Sequence, residues 1–177
     1  LIILDRDGTI NIDKNGYTHK VSECVLYKDV ITFFSSISIH TKIVVVTNQS
    51  GLARNYYSIN ELKAFNNKIN EILRIKANHP GIDEFFYCPH LPNDKCKCRK
   101  PKSYLIKKAM KKYNSNTTST ILIGDKLTDI QAGQDAGIRS YLITRDKKTN
   151  FSKDYLRINC LNEIFIKNDL YVPLRQI

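Results

Sequence analysis

The chain has 177 residues, 42% of them hydrophobic and 25% charged, with a formal net charge of +11 at pH 7. This length predicts one domain over residues 1–177 with a sizeable core, and the composition excludes a disordered or fibrous protein. The purely apolar runs, such as LIIL at 1–4, are only a few residues long, which excludes a bilayer span of about 20 apolar residues.

The predicted elements alternate between strands and helices along the chain. Apolar, β-branched runs predict strands at 1–4, 42–47, 84–88, 120–124 and 140–144. Amphipathic patterns predict helices at 29–37, 59–76, 102–113 and 127–136. Ser58 and Glu61 form the capping box of the second helix, and Gly137 caps the end of the fourth. A polar loop at 145–154 and a short helical pattern in CLNEIFI (160–166) follow. The alternation predicts an α/β fold, a three-layer Rossmann-like parallel sheet with helices on both faces.

Acidic residues follow two of the predicted strands. Asp5 and Asp7 come directly after the first strand, and Asp125 follows the fourth, with Asp129 one helical turn beyond it. Because the carboxyl ends of parallel strands meet at one edge of a sheet, we expect these carboxylates to converge. Clustered carboxylates cannot all be ionised without a cation, and oxygen ligands suit Mg²⁺. The pattern predicts a magnesium site.

Two other stretches suit a phosphate group. VTNQSGLAR (46–54) places the Thr47 hydroxyl and several backbone N–H groups in a tight turn after the second strand, and such a turn can cradle phosphate. Lys100, in CRKPK at 98–102, supplies a point charge that suits phosphate. Each alone is typical of a plain turn or a surface lysine, so the prediction depends on their combination with the aspartates.

Three of the five cysteines cluster with a histidine in CPHLPNDKCKC, as Cys88, His90, Cys96 and Cys98. Three thiolates and one imidazole make a tetrahedral zinc site, and since protein fills all four positions the ion is predicted to be structural. It would hold the zinc loop, residues 88–98, over the active site. No export signal precedes Asp5 in this sequence, so we expect a reducing, cytoplasmic location rather than disulfides.

Nine basic residues lie between Lys95 and Lys112 with no acid among them. The plain interpretation is a solvated helix face plus a loop that neutralises the zinc thiolates. Nucleic-acid binding is the alternative, but Tyr104 is the one aromatic residue in the stretch, and a platform for stacking bases needs more. We therefore expect no nucleic-acid partner.

Four motifs together resemble the haloacid dehalogenase (HAD) superfamily of phosphatases: DRDGT at 5–9, VTNQSG at 46–51, CRKP at 98–101 and GDKLTDIQAG at 124–133. The resemblance spans residues 1 to about 145. The Cys/His loop and TNQSGLAR are similar to the branch that holds D-glycero-D-manno-heptose 1,7-bisphosphate 7-phosphatase and histidinol-phosphatase. A minimal cap is implied, because no long domain is inserted between the motifs.

The resemblance implies catalytic roles that fit the chemistry of the residues. Asp5 is the expected nucleophile, forming an aspartyl-phosphate, and Asp7 the general acid and then the general base. Thr47 and Lys100 are expected to hold the phosphoryl oxygens.

The same resemblance implies how the metal is held. Mg²⁺ would sit on Asp5, the Asp7 backbone carbonyl and Asp125, and Asp129 would orient these ligands or Lys126. The substrate contacts that we expect are Asn48, Gln49, Ser50, Arg54, Arg99, Lys126, Asp13 and Tyr17.

The sequence is compatible with several substrates and functions. The resemblance favours the 7-phosphate of heptose 1,7-bisphosphate, because Arg54 sits where the sugar-phosphate branch has an arginine, and a bisphosphate also suits two cationic anchors, Arg54 and Arg99. The short spacer between His90 and Cys96 is more similar to histidinol-phosphatase. A polynucleotide 3′-phosphatase shares the Asp-x-Asp-Gly-Thr pattern and suits the positive charge, but the zinc loop argues against it. A non-enzymatic zinc-stabilised binding module would require that the aspartates be dispensable.

We expect a monomer that acts on a small phosphorylated metabolite, with no membrane partner.

Overall fold

The computed structural model describes residues 1–13, 16–145 and 155–165. Six strands form one parallel sheet: β1 (Ile2–Leu4), β2 (Ile43–Asn48), β3 (Glu84–Cys88), β4 (Ile121–Gly124), β5 (Arg139–Ile143) and β6 (Leu156–Ile158). Their order in the sheet is β3-β2-β1-β4-β5-β6. Because β1 lies between β2 and β4, the segments that leave the carboxyl ends of these three strands are neighbours at one edge.

Four helices connect the strands: α1 (Lys28–Ser36), α2 (Ile59–Ala77), α3 (Tyr104–Lys112) and α4 (Leu127–Ala136). The capping box of α2 is confirmed, since the Ser58 hydroxyl accepts from the Glu61 N–H and the Glu61 carboxylate accepts from the Ser58 N–H. Gly137 ends α4 in the left-handed conformation, as its position in the sequence predicts. Short 3₁₀ turns cover Val21–Glu23 and Leu161–Phe165.

The sheet separates two hydrophobic cores. Buried residues of α1, α2 and the 161–165 turn pack on one face, and those of α3 and α4 pack on the other. The strands contribute side chains to both cores, because successive side chains along a strand point to opposite faces of the sheet. In β1, Ile2 and Leu4 enter the first core while Ile3 enters the second. The predicted α/β sheet with helices on both faces is therefore confirmed.

The structure differs from the sequence prediction at a few places. β6 was not predicted, because its three residues show no usable pattern and Leu156 is exposed. Strand and helix ends otherwise shift by one or two residues, as hydrogen-bonded boundaries commonly do. The polar loop predicted at 145–154 lies outside the described residues except for Arg145. Residues 166–177 of the predicted single domain also lie outside them.

Among the helices of the described residues, none combines the length and the apolar character that crossing a membrane requires.

Candidate active site

A pocket of about 650 Å³ opens at the carboxyl edge of the sheet. It brings together residues that are far apart in the sequence but follow β1, β2, β3 and β4. The predicted site residues that line it are Asp5, Asp7, Asp13, Tyr17, Thr47, Asn48, Gln49, Ser50, Cys96, Arg99, Lys100, Lys126 and Asp129. Of these, Asp5, Asp7, Thr47, Gln49, Ser50, Lys100 and Asp129 are buried.

Lys100 lies at the bottom of this pocket between two carboxylates. Its Nζ is 2.6 Å from Oδ1 of Asp5, 2.6 Å from Oδ1 of Asp129 and 2.7 Å from the Val46 carbonyl oxygen. Burial alone would lower the pKa of Lys100, but the two carboxylates outweigh it and raise that pKa above the ordinary value. The ammonium is therefore a fixed positive charge at the end of β1.

Asp5, Asp125 and Asp129 form a carboxylate cluster in which one ligand atom from each residue lies within 4.8 Å of the others. Burial raises the pKa of Asp5, and Lys100 opposes that rise. Lys100 and Lys126 are the lysines that interact with these three carboxylates, so acidic groups outnumber the ammonium groups in this cluster. A divalent cation with oxygen ligands fits this charge and spacing, and Mg²⁺ is such an ion.

Gly8 allows the loop after β1 to approach this cluster. Its φ is +86°, and a Cβ at this position would lie 2.2 Å from Oδ2 of Asp125. Any other residue would therefore be strained and would displace the Asp125 carboxylate. The backbone conformation at Gly8 and its contact with Asp125 thus both require a glycine at this position of DRDGT, beside the predicted metal site.

Asp7 lines the pocket, and four hydrogen bonds hold its carboxylate. Arg6 donates through Nε to Oδ1 at 3.0 Å and through Nη2 to Oδ2 at 2.9 Å. Asn11 Nδ2 donates to Oδ1 at 3.0 Å and Gln49 Nε2 donates to Oδ2 at 2.8 Å. Both oxygens are therefore held by donors, and the role of the Asp7 backbone carbonyl as a metal ligand stays a prediction.

Asn48 joins the end of β2 to the segment that carries Lys100. Its Oδ1 accepts from the Lys100 N–H at 3.0 Å, and its Nδ2 donates to the Lys100 carbonyl at 3.1 Å. Two reciprocal hydrogen bonds fix the backbone from which the ammonium extends. This geometry favours a positioning role for Asn48 in addition to the substrate contact that the sequence suggests.

The Cys/His cluster lies beside the pocket, at the end of β3. The sulfur atoms of Cys88, Cys96 and Cys98 are 3.2–3.8 Å apart, and Nδ1 of His90 is 3.6 Å from Cys88 Sγ and 3.2 Å from Cys98 Sγ. With Zn–S bonds of about 2.3 Å, a tetrahedral zinc ion separates its sulfur ligands by about 3.8 Å. All four ligand atoms lie within 4.8 Å of one another, so the cluster fits a zinc ion.

Arg99 connects this cluster to the pocket, since its Nη1 donates to the His90 carbonyl at 3.2 Å. Lys126 is exposed at the pocket, and its backbone N–H donates to Oδ2 of Asp129 at 3.0 Å. Burial would lower the pKa of Lys126, but Asp125 and the neighbouring carboxylates raise it.

The remaining predicted contacts lie at the mouth of the pocket. Asp13 accepts a hydrogen bond from the Thr18 hydroxyl, and Tyr17 packs edge-on against Tyr56 with ring centres 5.0 Å apart. Arg54 is exposed, and its guanidinium lies 5.9 Å from the ring centre of Tyr17. Arg54 thus reaches the pocket rim through Tyr17.

Sequence reasoning missed several residues that hold the site. Arg6 is fully buried and binds Asp7, and Arg145 donates to the carbonyl oxygens of Gly8 at 2.7 Å and Thr9 at 2.6 Å. Tyr57 donates to Oε1 of Gln49 at 2.5 Å. A buried arginine inside DRDGT was a usable signal, because an arginine between two aspartates at a strand end needs partners. Arg145 and Tyr57 carry no such signal, because only the fold brings them to the site.

The chain is similar to known proteins over most of its length. A family model described as "HAD-hyrolase-like" matches residues 97–158. The chain is 37% identical to D-glycero-alpha-D-manno-heptose-1,7-bisphosphate 7-phosphatase of Photorhabdus laumondii over 158 residues, covering 83% of this chain and 84% of that protein. It is 33% identical to D-glycero-beta-D-manno-heptose-1,7-bisphosphate 7-phosphatase of Neisseria meningitidis over 150 residues, covering 83% and 78%.

A solved structure is similar over nearly the whole chain. It is D,D-heptose 1.7-bisphosphate phosphatase from B. bronchiseptica complexed with magnesium and phosphate, with a TM-score of 0.79, 28% sequence identity and coverage of 94% of this chain and 97% of that one. The chain therefore belongs to the HAD superfamily, in the branch of the D-glycero-D-manno-heptose-1,7-bisphosphate 7-phosphatases.

Proposed function

We propose that the chain is a Mg²⁺-dependent phosphatase that hydrolyses the 7-phosphate of D-glycero-D-manno-heptose 1,7-bisphosphate through an aspartyl-phosphate. The observation that carries this proposal is the placement of Lys100 between Asp5 and Asp129 within a cluster of three carboxylates. A buried carboxylate, a fixed ammonium and a cation site in one pocket are the parts that phosphoryl transfer needs.

In the first step, a carboxylate oxygen of Asp5 forms a bond to phosphorus while the bond from phosphorus to the sugar oxygen breaks. Asp7, in its protonated form, gives a proton to the departing sugar oxygen. Lys100 and Thr47 bind the phosphoryl oxygens, over which negative charge is spread in the transition state. The products are the heptose alcohol and an acyl phosphate on Asp5.

In the second step, water attacks phosphorus and Asp7, now ionised, takes its proton. The bond from phosphorus to Asp5 breaks, which releases inorganic phosphate and regenerates both aspartates. Arg6, Asn11 and Gln49 donate to the carboxylate oxygens of Asp7, which suits its ionised form in the second step, and the protonated form of the first step gives up one of these hydrogen bonds to the added proton.

Two metals complete the proposal. Asp5, the Asp7 carbonyl and Asp125 would hold Mg²⁺, with Asp129 beside them, and the bound ion would neutralise charge on the transferring group. Cys88, His90, Cys96 and Cys98 would hold a structural Zn²⁺ that fixes the loop leading to Arg99 and Lys100. Disulfides are rare in a reducing compartment, where cysteine thiols stay available as metal ligands, so we also propose a cytoplasmic location.

The choice of the heptose substrate is supported by the names of relatives at 33% and 37% identity over most of the chain. Both the alpha and the beta forms occur among those names. Histidinol phosphate is retained as a comparison substrate because of the short spacer in the zinc loop.

The test is phosphate release, with and without Mg²⁺, from three substrates side by side: heptose 1,7-bisphosphate in both anomeric forms, histidinol phosphate and a 3′-phosphorylated oligonucleotide. We expect Mg²⁺-dependent release from the bisphosphate and a product that keeps its 1-phosphate by ³¹P NMR. Faster turnover of either other substrate, or loss of the 1-phosphate, would contradict the assignment.

A further inference from the structure

The side chain of Gln49 joins two residues of the proposed mechanism. It is 2% exposed, and its Nε2 donates to Oδ2 of Asp7 at 2.8 Å and to Oγ1 of Thr47 at 2.9 Å. Both amide hydrogens are therefore used, one on the acid–base residue and one on a phosphate-binding residue. Although the family resemblance implies a substrate contact for Gln49, these contacts indicate a different role.

Tyr57 determines which way the Gln49 amide points. Its hydroxyl donates to Oε1 of Gln49 at 2.5 Å. Burial raises the pKa of Tyr57 to about 12, so the phenol remains a donor at neutral pH. A flipped amide would place its oxygen against the Asp7 carboxylate, two acceptors in contact, and would lose the bond from Tyr57. The phenol thus keeps Nε2 directed at Asp7 and Thr47.

The ring of Tyr57 is itself held on two sides. A Cβ at Gly51 would lie 2.2 Å from Cε1 of Tyr57, so the ring occupies space that only a glycine leaves. The imidazole of His19 stacks on Tyr57 with ring centres 4.8 Å apart and an angle of 22°. The next residue, Ser58, is the N-cap of α2. The hydroxyl therefore extends from a ring that has little freedom to move.

Gln49 is the donor in its hydrogen bonds to Thr47 and Asp7, and this affects what each of these two residues can do. Because Oγ1 of Thr47 accepts from Gln49, the hydroxyl proton of Thr47 is available to a phosphoryl oxygen in the pocket. Because Oδ2 of Asp7 accepts from both Gln49 and Arg6, that carboxyl is fixed relative to Thr47.

We propose that Gln49 and Tyr57 are a positioning pair. Tyr57 orients the Gln49 amide, and Gln49 holds the Asp7 carboxyl at a fixed position relative to Thr47, from which Asp7 can protonate the leaving group. This inference rests on the proposed phosphatase function. It adds residues that act through Asp7 and Thr47 and need not touch the substrate.

The test compares two leaving groups in the full chain with Mg²⁺. An alkoxide such as the heptose oxygen needs a proton in order to leave, whereas p-nitrophenolate leaves without one. We expect the ratio of kcat/KM for heptose bisphosphate to kcat/KM for p-nitrophenyl phosphate to fall about tenfold in Tyr57→Phe and in Gln49→Met, a part of the ~10²–10⁴-fold contribution of general acid–base catalysis.

Tyr57→Phe removes one oxygen and keeps the ring, so it preserves the packing against Gly51 and His19. Tyr104→Phe is the matched control, because Tyr104 is an exposed tyrosine at the start of α3, and we expect the wild-type ratio. A purely structural role would lower both kcat/KM values equally. A ratio within about twofold of wild type in both variants, far below the range for acid–base catalysis, would overturn the positioning role.

The two proposals fail separately in this design. A wild-type protein that hydrolyses neither substrate would overturn the phosphatase function. A wild-type protein that hydrolyses p-nitrophenyl phosphate but not the heptose would overturn only the substrate, and the ratio is then taken with an alkyl phosphate that it does hydrolyse.

Discussion

Nζ of Lys100 lies 2.6 Å from Oδ1 of Asp5, in a buried ion pair between residues that are 95 positions apart in the chain. The same ammonium binds Asp129, and Asn48 fixes the backbone of Lys100 through two hydrogen bonds. One side chain therefore links the ends of β1, β2 and β4. The stability of the pocket and its chemistry depend on the same contacts.

Replacement of Lys100 by Met should affect both properties. It leaves Asp5 and Asp129 buried without their cation, and breaking a buried pair in this way costs about 3–5 kcal/mol. We expect that loss in the free energy of unfolding by urea, together with loss of phosphatase activity. Lys111→Met, at an exposed position on α3, should stay within about 0.5 kcal/mol of wild type. Equal stability of the two variants would contradict the buried pairing.

Replacement of Asp5 by Asn should abolish turnover while the fold stays intact. The amide keeps the shape of the side chain but cannot form the acyl phosphate, so we expect a fall in kcat of about 10³-fold or more. Acid quenching during turnover should trap a phosphorylated wild-type chain and none in the variant. Asp135→Asn changes an exposed aspartate on α4 and should keep wild-type turnover. Retained hydrolysis in purified Asp5→Asn would remove the nucleophile assignment.

Disruption of the Cys/His cluster should release zinc. We expect one zinc per wild-type chain by metal analysis and none in the double variant Cys96→Ser/Cys98→Ser. Because the ion would hold the zinc loop, which leads to Lys100, thermal unfolding of the variant should begin about 10 °C lower, which corresponds to about 3 kcal/mol for a chain of this size. Cys160→Ser, which lies outside the cluster, should retain the zinc. A zinc-free wild-type protein whose activity survives the double substitution would rule out this site.

The buried phenol of Tyr57 should make stability fall at alkaline pH. The unfolded phenol ionises near pH 10, whereas burial raises the folded pKa to about 12. Below pH 10 both states keep the proton and no dependence arises. Between the two values the unfolded state has lost its proton and the folded state has not, so unfolding is favoured as the pH rises.

Comparison with Tyr57→Phe isolates this group from the other titrating residues. We expect the wild type to lose free energy of unfolding relative to that variant as urea titrations move from pH 9 to pH 11. Tyr104→Phe should keep the wild-type pH dependence, because Tyr104 is exposed. A constant difference between wild type and Tyr57→Phe would show that the folded phenol ionises at its ordinary pH.

Local patterns predicted most of the fold. Hydrophobic periodicity gave β1 to β5 and all four helices, because burial of alternate or helically spaced side chains leaves a strong signature. The Ser58/Glu61 capping box was also predictable from the sequence, because its two partners lie within one helical turn. β6 was missed because three residues with one exposed end carry almost no periodicity.

The predicted site residues lie together for a similar reason. Parallel strands place their carboxyl ends at one edge, so the residues that follow β1, β2 and β4 were expected to meet, and most of them line one pocket. The direction of each side chain was not predictable. The Asp7 carboxylate turns toward Arg6 and Gln49, and Arg54 lies on Tyr17 at the rim.

The amino-acid sequence by itself determined the order of the elements, the strand ends that carry acidic residues and the spacing of four metal-ligand side chains. These are short-range properties, fixed by periodicity and by neighbours in the chain. Only the tertiary structure decided that Tyr57 donates to Gln49 and that Arg145 donates to the Gly8 and Thr9 carbonyls. Such contacts depend on how whole helices pack against the sheet, and no local pattern encodes that packing.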